Sequence, residues 1–316
     1  MIPIAHRPLR KRTIVRLGYG MLVTSAVSPF LIVPVAGRAA GAAMAMRPAV
    51  KALLPPDLEG ILKDELPAAV RKQPALVMAT DATVGEPIAW VDEHSEIRGM
   101  AVDMADAIGY LFGKPVKSVN VVWDNLIPGL QSGRFDFSIS VMLDTKKREQ
   151  IVNFVDYLVD GSSFLVSADS KLHGLDLASL CGLRVAVLRG SVEQGYVTKQ
   201  TEQCKKEGKP PIGIQVYQGN NDMLLAVVSG RADVMMGASS QLGYVQKLSH
   251  GRARSGGEPI GVATDGIAVP KGRGLTKPLQ SALQKLIETG VYRKIMALYG
   301  MEANGVSKVT INHASY

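Results

Sequence analysis

Asp136-Phe-Ser-Ile-Ser-Val-Met-Leu-Asp-Thr-Lys-Lys-Arg148 reads as a strand that runs into the start of a helix. Apart from Asp136, residues 135–142 are apolar or small and suit a buried strand. Asp144 and Thr145 can cap a helix, which places Arg148 on its first turn. A guanidinium held beside a strand end and a helix start suits a two-pronged grip on a small carboxylate. Lys146 and Lys147 flank it, and charge clusters are usually solvated faces. The meaning of Arg148 therefore depends on the rest of the chain.

Outward from this stretch, strands and helices alternate. Residues 75–80 and 116–122 read as strands. The helix between them, over 99–112, carries Met100, Met104, Ile108 and Leu111 at helical spacing. Residues 126–131 start a helix that Gly133 stops. Further strands are expected over 163–167, 183–188, 214–217 and 232–236, with helices from Ser191 and over 221–230. Residues 260–269 carry two short extended pieces, and 275–289 and 291–299 are amphipathic helices. Residues 49–72 form a helical lead-in broken at Pro55-Pro56. Such alternation implies an α/β protein with mixed, mostly parallel sheets.

The N-terminus points to export. Residues 1–45 hold Arg7, Arg10, Lys11, Arg12, Arg16 and Arg38 with no Asp or Glu, an apolar run over 17–35, and Ala43-Met44-Ala45. That order is a secretory signal. Gly18, Gly20, Ser25, Ser28 and Pro29 interrupt the run, which argues against a membrane anchor. Removing these six positive charges from a formal +8 leaves +2, so nucleic-acid binding loses its main support. Cys181 and Cys204 both follow this segment, and an even count in an exported chain argues for a bridge between them. His6, His94, His173, His250 and His313 are scattered and no Cys-x-x-Cys occurs, so no metal set or cofactor is implied. There is also no Gly-x-x-x-x-Gly-Lys-Ser/Thr loop of the kind that binds ATP phosphates.

Taken in order, several segments resemble the polar-amino-acid type of extracytoplasmic solute-binding protein, the receptor component of ABC importers. They are Ala79-Thr-Asp81, Val91-Asp92, Gly99-Met-Ala-Val-Asp-Met, Trp123-Asp-Asn-Leu-Ile-Pro-Gly-Leu-Gln-Ser-Gly-Arg-Phe-Asp136 and the strand running to Arg148. The second half adds Leu180-Cys-Gly-Leu-Arg-Val-Ala-Val-Leu-Arg-Gly-Ser191, Ser229-Gly-Arg-Ala-Asp233, Gly266-Ile-Ala-Val-Pro-Lys-Gly272 and the stretch from Leu286 to Gly300. The resemblance implies a periplasmic binding protein type II fold: two α/β lobes, two hinge strands and a ligand cleft between the lobes. The expected division is 1–45 signal peptide, 46–73 lead-in, 74–161 first part of lobe one, 162–262 lobe two, and 263–316 the return to lobe one.

The same resemblance assigns the site. Arg148 would hold a ligand carboxylate, together with backbone amides at the helix start Ser191-Val192-Glu193. Trp123 would wall the ligand side chain and Asp81 would face the cleft, with Ser140, Met142 and Leu143 at the strand end. Three positions depart from the family pattern. Ala238 stands where an ammonium-binding aspartate is usual, Leu143 where Thr or Ser is usual, and Val84 where an aromatic is usual. An ammonium buried without a carboxylate is costly, so an unmodified α-amino acid fits poorly unless Asp144, Glu193 or Ser239 supplies the partner from a shifted position.

The implied protein is a monomeric periplasmic receptor that captures a small carboxylate-bearing solute and docks a membrane permease. It is not expected to be an enzyme. The alternative is a cleft enzyme of the same fold, such as a cyclohexadienyl-type dehydratase using Glu193 or Asp81 as general acid. A sensor that presents its closed form to a membrane kinase is a third possibility. N-terminal sequencing of the exported protein should begin just after Ala45; an intact Met1 terminus would contradict the secretion signal.

Overall fold

The computed structural model describes residues 46–314, so the reading of residues 1–45 as a secretion signal falls outside the described residues. The lead-in holds two single-turn helices, α1 (Pro48–Lys51) and α2 (Ala68–Arg71). Next come β1 (Leu76–Thr80), the small hairpin of β2 (Trp90–Val91) and β3 (Ile97–Arg98), α3 (Met100–Leu111) and β4 (Val116–Asn120). α4 (Leu126–Gln131), β5 (Phe137–Ser138) and α5 (Lys146–Glu149) lead into the long strand β6 (Val152–Ser167). β7 (Arg184–Leu188), α6 (Val192–Lys206), β8 (Gly213–Tyr217) and α7 (Asn220–Val228) follow. Then come β9 (Val234–Ala238), α8 (Ser239–Leu248) and β10 (Ala253–Ser255). The last elements are β11 (Ile260–Pro270), α9 (Thr276–Glu288), α10 (Val291–Leu298) and β12 (Gly305–Ile311).

Two parallel blocks share a pair of strands. The sheet order is β4-β1-β5-β11-β6-β9-β7-β8, with β10 and β12 also laid on β6. β1 pairs parallel with β4 and β5, and β7 pairs parallel with β8 and β9. β5/β11, β11/β6 and β6/β9 are antiparallel. The first part of β6 meets β12 and the end of β11, and its second part meets β9 and β10. The fold is thus a mixed, mostly parallel α/β arrangement in which β6 and β11 serve both blocks.

The core explains the helix reading. Met100, Met104, Ile108 and Leu111 are fully buried and cluster with Leu76 and Met78 of β1 and with Leu279, Leu283 and Leu286 of α9. Each such side chain contributes roughly 1.5–3 kcal/mol through burial. A second cluster gathers Phe164, Val185, Val187, Val197 and Met236 in the other block.

The departures from expectation are local. The lead-in is split into short pieces, α1, α2 and two single 3-10 turns (Pro56–Leu58 and Lys63–Glu65), rather than two longer helices. The strand expected over 135–142 is laddered only at Phe137–Ser138, because Met142 N turns back to Ser140 O at 2.8 Å. β6 begins at Val152 rather than at 163, and β11 is one strand rather than two pieces. Asp156, Asp160 and Gly161 look like strand breakers in sequence. In the fold Asp156 Oδ2 accepts from Thr310 Oγ1 at 2.6 Å and Asp160 Oδ1 accepts from Gly161 N at 2.8 Å, so the strand continues. α8, β10, β12 and the β2–β3 hairpin were not expected.

Cys181 and Cys204 are bonded, with 5.7 Å between Cα atoms. The bridge expected from the cysteine count is therefore present, and it ties the segment before β7 to α6. Closing this 23-residue separation stabilises by about 3 kcal/mol in the chain-entropy model. The double variant Cys181→Ser/Cys204→Ser should lose stability of that order in urea melts and keep its far-ultraviolet circular dichroism.

Candidate functional site

The segment that carries Arg148 is stitched to β11. Gly266 N donates to Met142 O at 3.0 Å, Asp144 N donates to Thr264 O at 3.0 Å, and Leu143 pairs with Asp265. Thr145 then caps α5, its Oγ1 accepting from Arg148 N at 3.2 Å. These bonds aim the guanidinium across the gap between the blocks. Nη1 donates to Leu143 O at 2.8 Å, and Nη2 donates to Gly190 O of the opposite block at 3.3 Å. Cζ lies 5.8 Å from the centre of the Trp123 ring, a cation–π distance.

Opposite stands the start of α6. Gly190 takes φ +72°, a left-handed turn that glycine adopts without strain, and this turn delivers the chain from β7 into the helix. Ser191 Oγ accepts from Gln194 N at 3.2 Å while Gln194 Oε1 accepts from Gly190 N at 2.7 Å, a reciprocal cap. The N–H groups of Val192 and Glu193 lie in the first turn, where a helix offers no internal acceptor, and the positive end of the helix dipole lies there too.

Arg148, Ser191, Val192 and Glu193 line one cavity of about 30 Å³ with Trp123. Leu143 and Val141 close it on the Arg148 side, and Leu188, Gly237, Ala238, Asn220 and Gln241 on the other. The volume holds only one or two water molecules. Asn220 Nδ2 donates to Gln241 Oε1 at 3.1 Å and to Val84 O at 3.4 Å, so the blocks also touch beside the cavity. Gly85 faces the Tyr244 ring so closely that a Cβ there would lie 2.4 Å from it.

Not every expected residue lies on this cavity. Asp81 is fully buried and does not line it: Oδ1 accepts from Thr83 N and Oδ2 from Trp123 N, both at 2.8 Å. Asp81 thereby holds the backbone of Trp123, and burial pushes its carboxyl above the ordinary value. Ser140 and Met142 also lie off the cavity. Ser140 O accepts from Tyr157 Oη at 3.1 Å, and Met142 packs in a hydrophobic cluster with Trp123. The chain bends at Ser140 and Val141, and of this segment Val141 and Leu143 line the cavity while 140 and 142 do not. Val141, Leu188, Asn220, Gly237 and Gln241 were missed. Val141 lies in the bent segment before Leu143, and Asn220 and Gln241 sit at helix starts; none of the three carries a local mark.

The comparisons with known proteins bear on this geometry. The model of the bacterial extracellular solute-binding proteins, family 3, matches residues 76–302. The chain belongs to that family. An arginine-binding protein, ArgT, from Corynebacterium glutamicum is 30% identical over 227 residues, covering 72% of this chain and 74% of its own. The structure of an ancestral arginine-binding protein bound to arginine superposes with a TM-score of 0.65 at 28% identity, covering 72% of this chain and 98% of that one. An ancestral amino-acid-binding protein described as a precursor of cyclohexadienyl dehydratase gives a TM-score of 0.62 at 28% identity, covering 73% and 97%. These are type II periplasmic binding protein folds, the fold the sequence led us to expect. Among the described residues no helix is long and apolar enough to cross a membrane.

Beside the cavity lies a strained carboxylate. Asp144 is fully buried, and neither of its oxygens has a hydrogen-bond donor in good geometry. Burial first, then the neighbouring Asp156 and Glu149, raise its pKa to about 7. The folded protein therefore keeps this proton over a range where the unfolded chain has lost it, and stability falls as pH rises from about 4 to about 7. Asp144→Asn should raise the melting temperature at pH 8 and leave it nearly unchanged below pH 4; equal melting at pH 8 would show that the carboxylate is not destabilising.

Proposed function

We propose that this protein is the receptor of an ABC importer, binding a small carboxylate-bearing solute, an amino acid or a derivative of one, in the cavity under Arg148. The observation that carries this reading is the guanidinium that spans the cleft and faces the N-terminus of α6. A bound carboxylate would take the place of Gly190 O on Nη2 and accept from the Val192 and Glu193 amides. The arginine-binding protein of Corynebacterium glutamicum and the ancestral arginine-binding protein support an amino acid.

A space of about 30 Å³ admits such a solute only if the blocks part and reclose around it. In this reading residues 74–161 and 263–316 form lobe one, residues 162–262 form lobe two, and β6 and β11 are the hinge strands. Residues 1–45 direct export to the periplasm and are removed, and the closed monomer docks a membrane permease. Trp123 and Leu143 wall the ligand. The binding-protein names among the relatives support a receptor rather than an enzyme.

Calorimetry against the twenty L-amino acids tests the reading. Arg148→Ala should cost about 3–5 kcal/mol of binding, because the ligand carboxylate loses its charge partner. Arg148→Lys should recover only part, since a point charge cannot make two parallel N–H bonds. The melting temperature of the ligand-free protein should change little in either variant. Normal binding by Arg148→Ala would remove the carboxylate assignment. Turnover of a prephenate-like acid would instead favour the enzyme reading suggested by the dehydratase-precursor neighbour.

A further inference from the structure

Position 238 leaves the cavity without a carboxylate where β9 ends. Ala238 lines the cavity with an uncharged methyl group. In the β6/β9 ladder its partner is Ser162. Ser162 Oγ donates to Glu193 Oε1 at 2.7 Å. The side chain of Glu193 thus reaches from the first turn of α6 to the strand position directly beside Ala238. It lines the same cavity and is only 6% exposed.

We infer that Glu193 receives the cationic nitrogen of the ligand, supplying from α6 the negative charge that β9 lacks at position 238. This rests on the reading of the cavity as an amino-acid site.

Three observations converge. First, Glu193 is a buried carboxylate whose hydrogen-bond partner is a hydroxyl, not a cation. Buried charges are ordinarily paired, and a ligand cation would complete the pair. Arg148 faces Glu193 electrostatically, but its guanidinium N–H groups are directed at the Leu143 and Gly190 carbonyls. Second, among the described residues Arg148 is the single cationic side chain lining the cavity, while two further carboxyl groups, Asp160 and Asp265, are buried nearby. Third, the other two carriers considered from sequence are out of reach: neither Asp144 nor Ser239 lines the cavity. An acidic residue in the first turn of a helix often serves only the helix dipole. Here the carboxylate crosses to β6 instead, which a dipole role does not require.

The ligand is then two-ended. Its carboxylate lies at Arg148 and the α6 amides, and its cation lies at Glu193. That cation can be the α-ammonium or a basic side chain, and analogues separate the two. The probe is the L-amino acid that the wild-type protein binds tightest among the twenty, alongside its des-amino analogue and, if the side chain is basic, a neutral side-chain isostere.

Glu193→Gln should weaken the probe by about 100-fold or more, as truncating one partner of a buried charge pair does. The same variant should bind the analogue lacking the relevant cation as well as wild type does. Ser162→Ala, which removes the orienting hydroxyl but keeps the charge, should weaken the probe by a smaller factor and so tests the geometry if Glu193→Gln fails to fold. Glu193→Gln/Ala238→Asp should restore much of the affinity, because the charge returns at the adjacent position. An unchanged affinity in Glu193→Gln, with Arg148→Ala inactive, overturns this inference and leaves the receptor reading intact. A wild-type protein that binds none of the twenty amino acids overturns both.

Discussion

The antiparallel ladder of β6 with β11 is the constraint on which the rest of the molecule hangs. Both parallel blocks attach to these two strands, so the distance between the blocks is set by how far the ladder bends. The ladder carries register shifts between Ile260 and Ala263 and between Asp265 and Gly266. Such irregularities bend a strand locally and increase its twist. They lie where the chain passes from one block to the other. Asp160 and Asp265 are buried in this same region, and burial holds both carboxyls above their ordinary range. The crossover therefore combines irregular backbone with groups that are poorly solvated.

From that ladder the cavity follows. The segment 142–144 is bonded to β11 and carries Arg148 through the capped turn of α5. β9 is laddered on the second part of β6 and ends at Ala238, while β7 delivers Gly190 and the start of α6. The two sides of the cavity thus belong to different blocks yet hang from the same two strands. In the proposed reading, a change in the bend of this ladder separates Arg148 from Gly190 and opens the space. This is the physical basis of the proposed capture of ligand, in which closure completes a site that neither block holds alone.

Much of the fold was legible in the sequence because it rests on periodicity. Met100, Met104, Ile108 and Leu111 announce a buried helical face, and the alternation of apolar strands with amphipathic helices announces an α/β sheet. Arg148 was legible because a strand, a cap and a charge follow one another within a few residues. Ser191 was legible for the same local reason. The first part of β6 was not, since Asp156, Asp160 and Gly161 mimic a break, and two of the groups that hold them, Thr310 on Asp156 and Ser240 on Asp160, lie far away in sequence. Asp81 misled for a related reason: a carboxylate after a strand can face a cleft or cap a turn, and only its contacts with Thr83 and Trp123 distinguish the two.

The sequence by itself determined the fold class, the order of segments characteristic of the family, the place of Arg148 beside a capped helix start and the cysteine pair, because each is a local pattern or a count. It also revealed that Ala238 carries no charge, which is a matter of residue identity. Only the tertiary structure decided which side chains share the cavity. The bent path of 140–143 put Val141 and Leu143 on it and left Ser140 and Met142 off it, and the β6/β9 register set Ser162 beside Ala238. Contacts between residues 31 apart, such as Ser162 with Glu193, leave no periodic mark in a chain. They arise when sheet register and helix direction are combined in three dimensions.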